Sequence, residues 1–312
     1  MYDIPDPLQK GPFSLADARN AGMPVHRLRS RRFRELHRGV WVFSGYDMTH
    51  IDRLEAARKA MPDRARLSHV SRLQALGEDV GSPMPYHFTV ADDLHLAVPD
   101  IYLHRTKVMP ALDDVGVTPC AAFIGHAAVG TVISLIQIGD WLLRDGHMTL
   151  SELNDSSHGQ LWRAGSKQAL RIGPLLDGKS GSMPESAVRS MMTFCGLPRP
   201  RANDVVTTRG QTRWADLWLP EWRVAIEYEG SQHQLDRNQF LRDIVRYNQF
   251  RSDGITYVQV TKELLDQPRG LMLHIHDHLV RQGYAGPAPQ FGAMWRSLFR
   301  PPSARLPASE VD

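Results

Sequence analysis

The chain of 312 residues is 42% hydrophobic and 23% charged, with 37 basic side chains against 34 acidic ones and a net charge of +3. That length excludes one small domain and points to two or three, each with enough apolar content for a packed core. Two distant cysteines, Cys120 and Cys195, match no zinc or redox spacing and read as buried thiols of a reducing cytoplasm.

The opening MYDIPDPLQKG carries no basic-then-apolar signal pattern, in keeping with a cytoplasmic protein. Residues 1–61 form the first expected domain. Ser14 caps a short helix that ends at Gly22, and Pro24 opens a second helix with Val25 and Leu28 turned inward. Leu36, Val40, Trp41, Val42 and Phe43 then suggest a small hairpin. Helix, turn, helix and hairpin is the order of a winged helix-turn-helix. Its second helix and hairpin carry Arg27, Arg29, Arg31, Arg32, Arg34 and Arg38, joined by His26 and His37 and opposed by Glu35. Such a patch is the footprint of phosphate binding, so DNA is the expected partner. A solvated basic helix with no partner is the alternative.

Residues 62–176 read as an α+β middle domain. Ser68 is placed to cap a helix through Leu76; segments 87–90, 94–98 and 101–108 read as short strands. The stretch from Ala121 to Leu143 is nearly free of charge, but His126, Gln137, Asp140 and three glycines interrupt it. One buried helix is expected there rather than a membrane span. This region shows no catalytic constellation, and His104, Arg105 and Lys107 read as a polar strand face.

DGKSGSM, residues 177–183, is a glycine and serine linker. Residues 180–284 then read as helix, two strands, helix, strand and helix, followed by a proline-rich tail over 285–312 in which Phe291, Trp295 and Phe299 are candidates to dock. Within this domain ADLWLPEWRVAIEYEGSQH is the most informative stretch. Val224, Ile226 and Tyr228 fall on one strand face, and Ala225, Glu227 and Glu229 on the other, with alternate residues about 7 Å apart. Carboxylates held that close, with Asp216 on a hairpin partner, repel each other. A hard divalent cation such as Mg²⁺ or Mn²⁺ needs that arrangement, because it prefers carboxylate oxygen and keeps positions for water and phosphate. Glu185, just after Pro184 at a helix start, is also what the helix dipole favours.

The order of helix with Glu185, strand with Asp216, strand with Glu227 and Glu229, then helix and strand, resembles the PD-(D/E)XK nuclease superfamily. More narrowly, SMPESAVR, RWADLWLPEWRVAIEYEGSQH and the helix with Arg242 and Asp243 look like domain of unknown function 559, related to the very-short-patch mismatch-repair endonucleases. The first region, through DARNAGM and LHRGVW, is similar to the AbiEi-type antitoxin domain, a winged helix found fused to this nuclease-like domain. The resemblance implies an α/β chain with a restriction-endonuclease-like mixed sheet flanked by helices in its last domain. It implies Asp216 as the central metal-binding aspartate, Glu227 as the first acid of the second motif, Glu185 as the helix glutamate completing the metal shell, and His233 as a group that orients water or moves a proton. Glu229 stands where the superfamily has lysine, which leaves open whether His233 or a second metal held by Glu229 activates water. Arg242 and Arg246 either contact phosphate or pair with Asp236 and Asp243.

A Mg²⁺- or Mn²⁺-dependent DNA endonuclease is the leading expectation. The rival is a DNA-binding regulator of the antitoxin kind whose nuclease fold does not cut; an RNA nuclease is a third. No membrane is implied. The resemblance adds a companion protein of a defence, repair or toxin–antitoxin setting, and cutting two strands would suit a homodimer.

Overall fold

The computed structural model describes residues 3–208, 211–229, 250 and 252–303. It is mixed α/β and divides into two compact units, residues 1–126 and 127–312. The division falls inside the segment expected as a middle domain. Among the described residues no helix is long and apolar enough to cross a membrane.

The first unit opens with a 3-10 turn, Asp6–Gln9, then β1 (Phe13–Ser14) and α1 (Leu15–Asn20). Ser14 and Asp17 form a reciprocal capping box, which satisfies two backbone donors and fixes the helix start. The segment after Pro24 is not the α-helix expected there but a five-residue 3-10 helix, Val25–Arg29. It is too short to bury an apolar stripe, and Leu28 alone enters the core. β2 (Phe33–His37) and β3 (Val40–Phe43) follow as a hairpin, and the sheet runs β1-β3-β2. Leu8, Phe13, Ala18, Met23, Leu28 and Phe33 pack beneath it, with Phe13 and Phe33 edge to face at 5.7 Å.

α2 (His50–Ala60) starts on a second capping box, Thr49 with Asp52. β4 (Arg66–Leu67), α3 (His69–Gln74), β5 (Tyr86–Val90) and β6 (Ile101–Arg105) complete a second sheet, ordered β4-β5-β6. The strand expected over 94–98 does not form. β5 and β6 are parallel neighbours, which no tight turn can join, so residues 91–100 serve as the connection and leave Leu96 exposed. α4 (Pro119–Ala127) ends at the division.

The single apolar helix expected over 121–143 is therefore two. Val129 and Gly130 lie in a turn, and Thr131 caps α5 (Val132–Arg144) by accepting the Ser134 N–H. α6 (Leu150–Gly159), α7 (Ser166–Ile172) and α8 (Met183–Phe194) follow. α5 and α8 are pinned by a buried ion pair, Arg189 to Asp140 at 2.6 Å. β7 (Arg201–Thr208), β8 (Gln211–Leu219), β9 (Val224–Tyr228) and β10 (Thr256–Val260) make a mixed sheet in the order β10-β9-β8-β7, with β10 parallel to β9. α9 (Lys262–Leu265), α10 (Pro268–Arg281) and α11 (Ala293–Leu298) close the unit. The proline-rich tail thus contains a helix, docked through buried Trp295, one of the expected aromatics, and Leu298. The helix expected over 237–251 lies outside the described residues except for Phe250, which is buried.

Candidate functional site

Glu185 occupies the third position of α8. Ser182 caps the helix by accepting the Glu185 N–H at 3.3 Å. The Glu185 carboxylate turns back to accept the Gly181 N–H at 2.8 Å and the Asn203 amide at 3.3 Å. Asn203 also donates to the Lys179 carbonyl at 2.7 Å, so one amide ties the linker to the glutamate. A Cβ at 181 would stand 2.7 Å from Asn203 Nδ2, so any side chain there displaces the amide that holds Glu185. Glu185 is 7% exposed.

α8 lies against β8 and β9. The β8–β9 ladder runs from Leu219–Val224 to Leu217–Ile226. One step further Asp216 stands opposite Glu227, and opposed residues of an antiparallel pair share a face. Here carboxylates reach back to the strands. Glu227 Oε1 accepts the Asp216 N–H at 3.2 Å, and Asp216 Oδ2 accepts the Tyr228 N–H at 2.9 Å. Glu227 is 3% exposed. Two residues on, Glu229 is held from β10: the Tyr257 hydroxyl donates to it at 3.3 Å and the Gln259 amide also bonds it.

Burial, and then the negative charge of Asp216, push the Glu185 carboxyl up to about 7, against the opposing pull of the Gly181 N–H, Ser182 and Arg144. Crowded acids of this kind are relieved by a cation. The donor chemistry fits Mg²⁺, which takes oxygen, retains several waters and is anchored by one or two carboxylates plus substrate phosphate. It does not fit an all-protein cage: among the described residues no three His, Cys, Asp or Glu side chains are arranged to hold a metal ion.

The structure thus places Glu185, Asp216 and Glu227 near one another from three elements, with Glu229 just past the end of β9. His233, Arg242 and Arg246 lie outside the described residues. The arginines belong to the first unit, on the 3-10 helix, the turn after it and the β2–β3 hairpin. Arg29, Arg31, Arg32, Arg34 and Arg38 are exposed and Arg27 is half-buried. Arg29, Arg31, Arg34 and Arg38 make no ion pair among the described residues.

Sequence reasoning missed Asn203, Gly181, Tyr257 and Gln259. The Ser182-x-x-Glu185 capping spacing was a usable signal for the turn around Gly181. Nothing local marks the other three, which act across long separations.

No family model matches the chain. It is similar to the uncharacterized proteins MT2308 and Rv2248 of Mycobacterium tuberculosis, strains CDC 1551 / Oshkosh and ATCC 25618 / H37Rv. Identity to each is 31% over 149 residues, covering 47% of this chain and 55% of theirs. The chain spans about half the length of these curated relatives.

Proposed function

We propose that the protein is a Mg²⁺-dependent DNA endonuclease, with a restriction-endonuclease-like nuclease over residues 180–284 of its second unit and a winged helix that holds DNA over residues 1–61 of its first. The observation that carries this reading is the pairing of Asp216 with Glu227 at the parting of two strands, with the buried Glu185 carboxylate within reach of the Asp216 charge. The mixed sheet β10-β9-β8-β7 behind α8 supports the fold. For the first unit, support comes from the order of short helix, strand, helix, 3-10 helix and hairpin, together with the exposed arginines.

Asp216 and Glu227 would hold Mg²⁺, its remaining positions going to water and substrate phosphate, with the Glu185 carboxylate beside Asp216 and not a third ligand. The ion supplies Lewis-acid polarisation of the scissile phosphoryl group and stabilises the leaving oxygen. Tyr257 and Gln259 fix the Glu229 carboxylate at the strand end, where it can orient a water. His233 is the second candidate for that role, since imidazole titrates near neutral pH.

Plasmid and linear DNA incubated with Mg²⁺ test this reading. Cleavage by the parent protein, blocked by EDTA and lost in Asp216→Asn, is expected; equal cleavage by the variant overturns the assignment.

Two observations favour a second reading, a DNA-binding regulator whose nuclease fold does not cut. The nuclease resemblance puts Glu229 where that superfamily has lysine, and no three-ligand cluster forms among the described residues. That reading expects salt-dependent DNA binding that ignores Mg²⁺.

A further inference from the structure

Three arginines of the second unit line one cleft of about 500 Å³: Arg171 from the last turn of α7, Arg296 from α11 and Arg300 just beyond that helix. No acidic side chain lines it, and none of the three makes an ion pair among the described residues. The rest of the lining is mainly apolar, with Ile172 buried and Leu175 and Phe194 half-buried. The chain along one side is tied at both ends. The Arg300 carbonyl accepts the Val132 N–H at 3.0 Å, and the Arg171 guanidinium donates to the Ser303 carbonyl at 3.2 Å. Pro301 and Pro302 stiffen the stretch between.

Arg171 and Arg296 each sit in the last turn of a helix, where a cation complements the dipole. That accounts for each one alone, but not for their meeting Arg300 in one cleft. Like charges gathered without a carboxylate repel each other, and an anion between them removes the repulsion. The positive end of α5 adds to the field, since Val132 opens that helix. The cleft is separate from the acid site. Phe194 lies nine residues beyond Glu185 on α8, which is about 13 Å along the axis and on the opposite side of the helix.

We infer that this cleft binds a nucleoside monophosphate, its phosphate held by Arg171, Arg296 and Arg300 and its base laid against Leu175 and Phe194. Guanidinium forks match phosphate oxygens two at a time, and the charge on both partners strengthens each hydrogen bond. A volume of about 500 Å³ falls within the range of small-molecule sites, roughly 300–1,000 Å³, so the phosphate leaves room for a larger body. That body meets apolar side chains. A sugar phosphate would turn hydroxyls towards them unpaired, whereas a base presents a flat face. Ser297 of the lining already donates to the Met294 carbonyl at 2.7 Å, which points to a site that tests the phosphate more than the base. Nothing in this site depends on the reading of the acid site.

The test is calorimetric titration of the full chain, in EDTA, with dAMP, deoxyadenosine and inorganic phosphate. dAMP is expected to bind roughly tenfold or more tightly than either of the others, and dGMP within about threefold of dAMP. Arg296→Ala with Arg300→Ala, both exposed positions, is expected to weaken dAMP binding about a hundredfold while the melting temperature stays near that of the parent. Arg296→Lys with Arg300→Lys keeps the charge, loses the fork and recovers only part of the affinity. Deoxyadenosine or phosphate binding as tightly as dAMP, the alanine variant binding dAMP as the parent does, or a parent that binds no dAMP overturns the inference. A labelled duplex that the parent binds, that dAMP does not displace and that the alanine variant loses would make the cleft a DNA-backbone contact and overturns it as well. None of these outcomes touches Asp216, so the nuclease reading stands or falls on its own test.

Discussion

Asp216 and Glu227 face each other one step past the Leu217–Ile226 pair, and each carboxylate accepts a backbone N–H from the opposite strand. The same two groups end the ladder and build the acid site. A substitution that keeps the hydrogen bond and removes the charge separates these roles. Glu227→Gln retains an oxygen for the Asp216 N–H. Thermal melting is expected to shift little, while Mg²⁺-dependent cleavage falls roughly a hundredfold or more, the scale of losing a Lewis-acid contact to the scissile phosphate.

Gly181 is the tightest point of the turn that feeds Glu185. Gly181→Ala puts a methyl into the Asn203 amide and beside the Glu185 carboxylate. A loss of about 1–3 kcal/mol in urea unfolding is expected. Glycine to serine should cost at least as much.

Arg189 and Asp140 are both almost wholly buried. Burial raises the Asp140 carboxyl while the Arg189 guanidinium opposes that rise. Arg189→Met leaves a carboxylate among α5, α8 and the Asp177 N–H without its cation. About 3–5 kcal/mol of stability should be lost in denaturant titration, and replacing both partners with apolar residues should recover most of it.

Four histidines meet in the first unit. The His69 ring stacks on His104 at 3.6 Å, His87 Nδ1 lies 2.8 Å from His104 Nε2, and His126 adds its field. Burial, reinforced by the neighbouring imidazoles, holds His69 down to about 2, with His104 and His126 at about 4. In the unfolded chain each titrates near 6.5. Protonation therefore favours the unfolded state. Stability is complete above about pH 6.5 and falls as the pH drops towards 4, with the His69 share lost over a wider range. Asp17 and Asp113, held below their ordinary value, stabilise only above that value and lose their share at lower pH still. Thermal melts between pH 7.5 and 4 should show the first decline beginning near 6.5.

The basic surface of the first unit should act through phosphates. Replacing Arg29, Arg31 and Arg34 with alanine is expected to weaken DNA binding and to reduce the slope of log K against log salt by about 2–3. An unchanged slope would place DNA binding elsewhere on the chain.

Local signals carried much of the fold. Alternation over 224–229 gave β9 and the shared face of Glu227 and Glu229, and Ser14 marked the start of α1 as its cap. What the sequence hid depends on distant partners. Tyr257 and Gln259 reach Glu229 because β10 lies parallel to β9, a pairing no turn announces. The histidine cluster draws on α3, β5, β6 and α4, so no spacing reveals it. Asn203 bridges linker and helix from a positive φ of 43°, which residue type alone does not foretell. The basic run after Pro24 looked helical, yet its five residues settle into a 3-10 turn on one buried leucine.

The most direct test is a calorimetric titration of Mg²⁺, repeated with Mn²⁺, into the parent protein and into Asp216→Asn, each with and without DNA. Binding heat in the parent that is absent from the variant is the expected result. No heat in either, with or without DNA, or equal heat in both, would contradict the assignment of these carboxylates as a metal centre.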